Sequence, residues 1–252
     1  MLKRALLVLG LCAATWLPMV ATAEESAAAP EPLNWQNWRP GNSVSDLPSL
    51  QRGAHNFMAY CNGCHALQYE RYQRLADDLK IPIPVLEASL LPPGRNRLDY
   101  ITSAMPSDDA QNWFGKQPPD LSLIARSKGT TYLYQYLKTF YADPKSSTGS
   151  NNLAYPNTAM PAVLSSLEGV KQAAFRTVGE DKIFQNFQTT VPGTLTSAQY
   201  DDFVRDTVNF LDYVGEPAQA ARRLLGKWVV AFLLLLTVLS YQLKKEYWKD
   251  VH

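Results

Sequence analysis

The chain has 252 residues and a formal net charge of +1, but the charge is unevenly spread. Residues 24–221 carry 16 basic and 21 acidic side chains, about −5 in all. That balance disfavours a nucleic-acid partner and suits a basic protein partner.

Taken in chain order, Met1–Ala23 has a charged start, an apolar run from Ala5 to Val20 and a small-x-small end at Ala21-Thr22-Ala23. This is the pattern of an export signal peptide, with cleavage expected after Ala23. Glu24–Pro48 reads as a lead-in arm. Ser49 is a candidate cap for a helix running from Leu50 through Tyr60, with Leu50, Ala54, Phe57 and Cys61 on one face. Gly53 weakens that helix relative to alanine, and a close approach by another helix would explain it. Ala66–Phe114 is a large excursion, mixing an expected helix over Leu67–Leu79 with Pro82, Pro84, Pro92 and Pro93. A Pro-Pro turn follows at Lys116–Asp120, then short helices from Leu121 and from Tyr132. Asp143–Asn152 has the composition of a surface loop. Thr196–Val214 is the clearest helix, its apolar residues recurring at three- and four-residue steps, and Gly215 and Pro217 end it. Few strands are expected.

Leu224–Leu243 is 20 residues long with one charge, Lys227. As a helix it spans ~30 Å, one hydrocarbon core. Trp228 and Tyr241 sit near its edges, where interfacial aromatics belong. The expected organisation is a signal peptide over 1–23, an exported domain over 24–221, a transmembrane anchor over 222–245 and a cytoplasmic tail over 246–252.

Of the 3 cysteines, Cys12 lies in the expected leader, which leaves Cys61 and Cys64 in the stretch AYCNGCHAL. CxxC alone fits a redox dithiol, half a zinc site or a disulfide. A disulfide across two intervening residues closes a tiny loop and stabilises little. Zinc needs two further ligands, and besides His65 the chain offers His55 and His252. A redox dithiol of the thioredoxin type follows a strand, whereas a helix is expected here. With His65 directly after the second cysteine, the motif is that of c-type haem attachment: two thiols meet two vinyl groups and the imidazole lies under the iron. Its second ring nitrogen should donate to a nearby oxygen.

The sixth iron position separates an electron carrier from a sensor or peroxidase. Met58 lies on the motif's own helix and does not reach the other haem face. Met105 and Met160 both occur as Ala-Met-Pro, where proline holds the backbone extended. Spacing favours Met160, which follows a Gly/Asn/Pro-rich loop and precedes the closing helix. His55 is expected to have a surface or packing role.

The runs RGAHNFMAYCNGCHAL (52–67), PPDLSLIAR (118–126), AMPAVL (159–164) and EPAQAARRLLGKW (216–228) together resemble the cytochrome c1 family, the haem subunit of ubiquinol–cytochrome c reductase (the bc1 complex). The lengths are similar to those of proteobacterial members. The resemblance implies a mainly α, cytochrome c-like haem domain with a long inserted excursion and a single C-terminal transmembrane helix. It implies one covalent haem c on Cys61 and Cys64, with His65 and Met160 axial. It also implies Arg126 beside a haem propionate and Pro118 and Pro119 along the haem edge, with the first and last domain helices crossing near Gly53. The implied job is electron relay from the Rieske iron–sulfur subunit to a cytochrome c, beside cytochrome b in a dimeric respiratory complex. The haem domain would sit on the periplasmic side of the inner membrane. No residue need act as acid, base or nucleophile. The acidic pairs Asp77-Asp78, Asp108-Asp109 and Asp201-Asp202 are shorter than the family's docking stretches. The alternatives are a freestanding anchored c-type cytochrome, or a haem sensor or peroxidase if the sixth position is open.

Overall fold

A computed structural model describes residues 32–179 and 181–250. The expected leader, the start of the arm and the last two tail residues lie outside these. The elements in order are α1 (Leu47–Tyr60), β1 (Leu67–Arg71), α2 (Tyr72–Asp78), α3 (Ile83–Ser89), β2 (Tyr100–Ile101), α4 (Ser107–Phe114), α5 (Ile124–Lys128), α6 (Thr130–Lys138), β3 (Phe140–Ala142), β4 (Ser150–Asn152), α7 (Ser165–Glu168), β5 (Gly169–Val178), β6 (Asp181–Pro192), α8 (Ser197–Gly215) and α9 (Gln219–Tyr247).

The core is the crossing of α1 and α8. Leu50, Ala54 and Phe57 of α1 are buried together with Val204, Val208, Phe210 and Leu211 of α8, and the Phe57 and Phe210 rings lie 5.8 Å apart. Gly53 sits at the crossing point. A Cβ there would stand 2.1 Å from the Asp206 carbonyl oxygen and 2.6 Å from the Phe210 Cβ, so the two backbones meet because no side chain intervenes. A polar cluster closes the same interface. The Ser49 hydroxyl donates to Asp206 at 2.7 Å and accepts from Asn209 Nδ2 at 2.9 Å. Asn56 Nδ2 donates to Thr207 Oγ1 at 3.2 Å.

Several expectations change at the level of elements. The cap of α1 is Asp46, whose carboxylate accepts from the Ser49 amide at 3.2 Å, with Pro48 in the first turn where its missing N–H costs nothing. Ser49 is one of the first helical residues and spends its hydroxyl on α8. Leu67–Arg71, expected to be helical, is a strand that pairs antiparallel with β2, and the helix begins only at Tyr72. The polar loop over 143–152 ends in the buried strand β4, paired with β3.

The largest departure is the β5–β6 hairpin, which pairs Gly169 with Pro192 and runs out to Val178 opposite Asp181. Its outer residues are exposed on both faces, so the strands lack the alternation that marks a half-buried strand in sequence. At its base, Lys171 is buried, donating to the Lys138 carbonyl oxygen at 2.8 Å and pairing with Glu168.

α8 agrees closely with its expected span. Thr196 caps it in a reciprocal box with Gln199. α9 begins before and ends after the expected anchor, and from Ala220 its side chains are exposed except at Gly226. It is long and apolar enough to cross a membrane.

Candidate functional site

The CNGCH motif forms a tight turn at the C-terminal end of α1. The Cys61 amide still donates to the Phe57 carbonyl at 2.8 Å. The Cys64 and His65 amides both return to the Cys61 carbonyl, at 3.0 and 2.8 Å. This turn places Cys61, Cys64 and His65 on the wall of one cavity of about 350 Å³. Both thiols are free. Burial, with the neighbouring Cys64 adding to it, pushes the Cys61 thiol up to about 12, so it is held as the neutral thiol.

His65 is oriented by the PPDLS run. Its Nδ1 lies 2.8 Å from the Pro119 carbonyl oxygen, an acceptor, so the proton is on Nδ1 and the Nε2 lone pair is free. Burial lowers the imidazole pKa, outweighing the Pro119 carbonyl and Asp120, and keeps the ring neutral. Asp120 fixes that carbonyl by accepting from the Ser122 amide at 2.9 Å and the Gln68 amide at 2.8 Å. The Leu121 amide donates to the Ala66 carbonyl at 2.9 Å, and the buried Ser122 hydroxyl accepts from the Tyr69 amide at 3.3 Å. Each polar letter of the run therefore ties the Pro118-Pro119 turn to the segment just after His65. Both prolines line the cavity.

Met160 lines the same cavity, together with Thr158, Ala159 and Pro161. Met105 is not among the lining residues, although its local sequence is the same. His55 is exposed on α1. The remaining wall is largely apolar and aromatic, including Leu121, Ile124, Leu137, Phe203, Tyr132 and Tyr136.

Arg126 is placed elsewhere. Its guanidinium pairs with Glu216 at 3.0 Å, at the junction of α8 and α9, and it does not line the cavity. The reason is helical phase: Ile124 and Lys128, four apart on α5, both face the cavity, and Arg126 between them points away. The cations in the lining are Lys128 and Lys116, which sequence reasoning did not single out. Each ammonium also sits 5.9 Å from a tyrosine ring, Tyr132 and Tyr155 respectively. The i, i+4 relation of Lys128 to Ile124 was the available signal.

The residues present fit a covalently held haem. Two neutral thiols, an imidazole with its free nitrogen unprotonated, and a thioether converge on an apolar cavity with two cations in its wall. No group of three or more His, Cys, Asp or Glu able to hold a bare metal ion occurs among the described residues.

Comparison with known proteins agrees. The model of the Cytochrome C1 family matches residues 93–251, a span that starts after the cysteine motif. A cytochrome c1 of Allochromatium vinosum is 43% identical over 242 residues, covering 95% of this chain and 98% of its own. A protein named ammonia monooxygenase gamma subunit, from Nitrosomonas europaea, is 42% identical over 208 residues, covering 82% of this chain and 86% of its own. A cytochrome b/c1 of Bradyrhizobium diazoefficiens is 28% identical over 270 residues, covering 92% of this chain and 37% of its own. A family model over more than half the chain and a close relative over nearly all of it place the chain in the cytochrome c1 family, whose members carry covalently bound haem c.

Proposed function

We propose that this chain, as the haem-bearing electron-transfer subunit of a bc1 complex, passes electrons from a Rieske iron–sulfur protein to a cytochrome c. The observation that carries this reading is the meeting of Cys61, Cys64, His65 and Met160 on one apolar cavity. Haem, when bound, supplies a one-electron iron couple. The chain's part is to hold and tune it. Cys61 and Cys64 anchor the group covalently. His65 offers Nε2 to iron while Pro119 holds Nδ1, and Met160 offers its thioether. A His/Met pair raises the potential relative to two imidazoles. Pro118 and Pro119 shield the rim. Lys116 and Lys128, rather than Arg126, are the cations available to the carboxylates of the haem.

The largely apolar, aromatic wall limits water around the haem, and the chain's contribution is placement and tuning of the group. Within the complex, α9 anchors the domain beside a cytochrome b, a partnership supported by the joined b/c1 name of the Bradyrhizobium relative. The expected leader supports an exported haem domain on the periplasmic face of the inner membrane, in a dimeric assembly.

Met160→Ala tests the site. The haem should turn from low to high spin and bind carbon monoxide, while Met105→Ala leaves the spectrum as it was. An unchanged Met160→Ala spectrum overturns the ligand assignment. Mild detergent extraction tests the assembly: co-purification with a b-type cytochrome and an iron–sulfur protein is expected, and isolation alone would point to a freestanding cytochrome.

A further inference from the structure

The segment between α6 and α7 delivers Met160, yet apart from β3 and β4 it has no regular structure. A thioether is a neutral, weak ligand, so its hold on a metal depends on how firmly the surrounding chain presents it. The means of presentation is a set of side-chain oxygens that take the place of a backbone ladder. The amides of Ala154 and Tyr155 both donate to Asn152 Oδ1, at 2.8 and 3.0 Å. The Asn157 amide donates to Asn151 Oδ1 at 2.8 Å, the Met160 amide to Thr158 Oγ1 at 3.3 Å, and the Ala162 amide to Ser150 Oγ at 3.1 Å. Pro156 and Pro161 have no amide hydrogen to place.

These side chains are themselves tied down. Asn152 is 1% exposed; its Nδ2 donates to the Tyr136 carbonyl at 2.7 Å and its Oδ1 also accepts from the Thr139 hydroxyl at 3.1 Å. Asn152 thus clamps the start of the loop to the last turn of α6. At the other end, the buried Thr158 hydroxyl shares a 2.8 Å hydrogen bond with the Tyr136 phenol. Tyr136 lines the haem cavity, and burial raises its pKa, so the phenol keeps its proton. One residue of α6 therefore grips the loop twice: through its carbonyl to Asn152 and through its hydroxyl to Thr158.

We infer that Asn152 and Thr158 are positioning residues for the Met160 thioether, with Tyr136 as their common anchor. The inference rests on the reading of Met160 as axial ligand. The alternative, that the network merely stabilises the fold, makes a different prediction, because a stabilising role would not move the properties of the iron.

The test uses the full-length, haem-loaded protein in its membrane. Thr158→Val keeps the shape and removes the hydroxyl. It should weaken the sulfur-to-iron charge-transfer band of the oxidised haem and lower the midpoint potential. Carbon monoxide binding to reduced haem should tighten about ten-fold, the equivalent of one hydrogen bond. Thr158→Ser should restore all three. Tyr136→Phe, which removes the other end of the same bond, should shift them in the same direction, and it stands in if Thr158→Val does not fold. Asn152→Ala should produce a larger shift. Wild-type band, potential and carbon monoxide binding in Thr158→Val or Tyr136→Phe would overturn the inference, as would a Ser variant no better than Val. Met160→Ala separates the two levels. If it abolishes the band and the other variants leave band, potential and carbon monoxide binding as in the wild type, the positioning role falls and the ligand stands; if it leaves the band intact, both fall.

Discussion

His65 shows how much one residue's role depends on its neighbours. The motif makes it the expected ligand, but its tautomer is decided by a carbonyl 54 positions away. Arg126 shows the converse: the resemblance implies a propionate partner for it, and in the structure its guanidinium pairs with Glu216. Arg126→Ala is therefore expected to leave haem spectrum and potential unchanged, whereas Lys116→Ala combined with Lys128→Ala should lower the potential or the haem retention. Redox titration of the purified complex distinguishes them. Glu70 is a second residue whose behaviour comes from its surroundings. It is buried on β1, its Oε1 accepts no hydrogen bond and lies 3.9 Å from Arg74 Nε, and burial pushes its carboxyl up to about 7, with Arg74 opposing and Asp78 adding. A raised carboxyl favours the protonated folded state. The stability it contributes is complete below the ordinary value of 4.5 and is lost as pH rises through about 7. The loss is on the order of 1–3 kcal/mol. Glu70→Gln should accordingly raise the melting temperature at pH 8 and make no difference near pH 4; equal melting at pH 8 would rule the account out.

Among the elements, α1 and α8 carry the architecture. Both were legible because their apolar residues keep the helical period, and Gly53 pointed to a close approach by another helix. Gly53→Ala forces a Cβ against backbone atoms of α8 that have no freedom to move. Overpacking of this kind costs roughly 1–3 kcal/mol, equivalent to about 2–12 °C in a domain of this size. Thermal unfolding of the haem-loaded domain measures it, and a melting point unchanged from wild type would contradict the crossing. The strands were not legible. LQYER alternates Leu67-Gln68-Tyr69-Glu70, but burial does not follow it, with Tyr69 exposed and Glu70 buried, and GVKQAAFRTV has no two-residue alternation; β1 is held by β2 and by the PPDLS run, and the outer hairpin is wet on both sides. Their conformation is set by partners distant in sequence, which local propensity does not encode.

At the scale of the molecule, the acidic body and the apolar α9 divide the work. From Ala220 on, the side chains of α9 make almost no buried contact with the body, so the helix is free to pack against other membrane proteins. A chain ending at Ala218 should be recovered in the aqueous fraction with its haem spectrum intact, and retention in the membrane would show that the body itself binds lipid or partner. The acidic balance of residues 24–221 predicts that electron transfer to a basic cytochrome slows as salt rises, because screening weakens attraction across the encounter. Stopped-flow rates at increasing ionic strength measure this. The acidic pairs contribute unequally: Asp201 is engaged by Lys138 and Asp202 by Arg205, while Asp108, exposed, and Asp109, half-buried, lie in the first turn of α4.

By itself the sequence determined the chemistry: CNGCH names its cofactor because two thiols and an imidazole at that spacing match one haem, and an apolar run of 20 residues is the length of a bilayer core. It also determined the two long helices, whose period is a local property. The tertiary structure decided everything that depends on residues far apart meeting. It chose Met160 over Met105 for the cavity, although both sit in the same tripeptide, because the Asn151, Asn152 and Thr158 hydrogen bonds carry one of them there. It put Lys128 in the cavity wall and Arg126 outside it, and it made strands of segments whose burial does not follow a two-residue period. These outcomes come from hydrogen bonds and burial between distant segments, terms to which no local window of sequence has access.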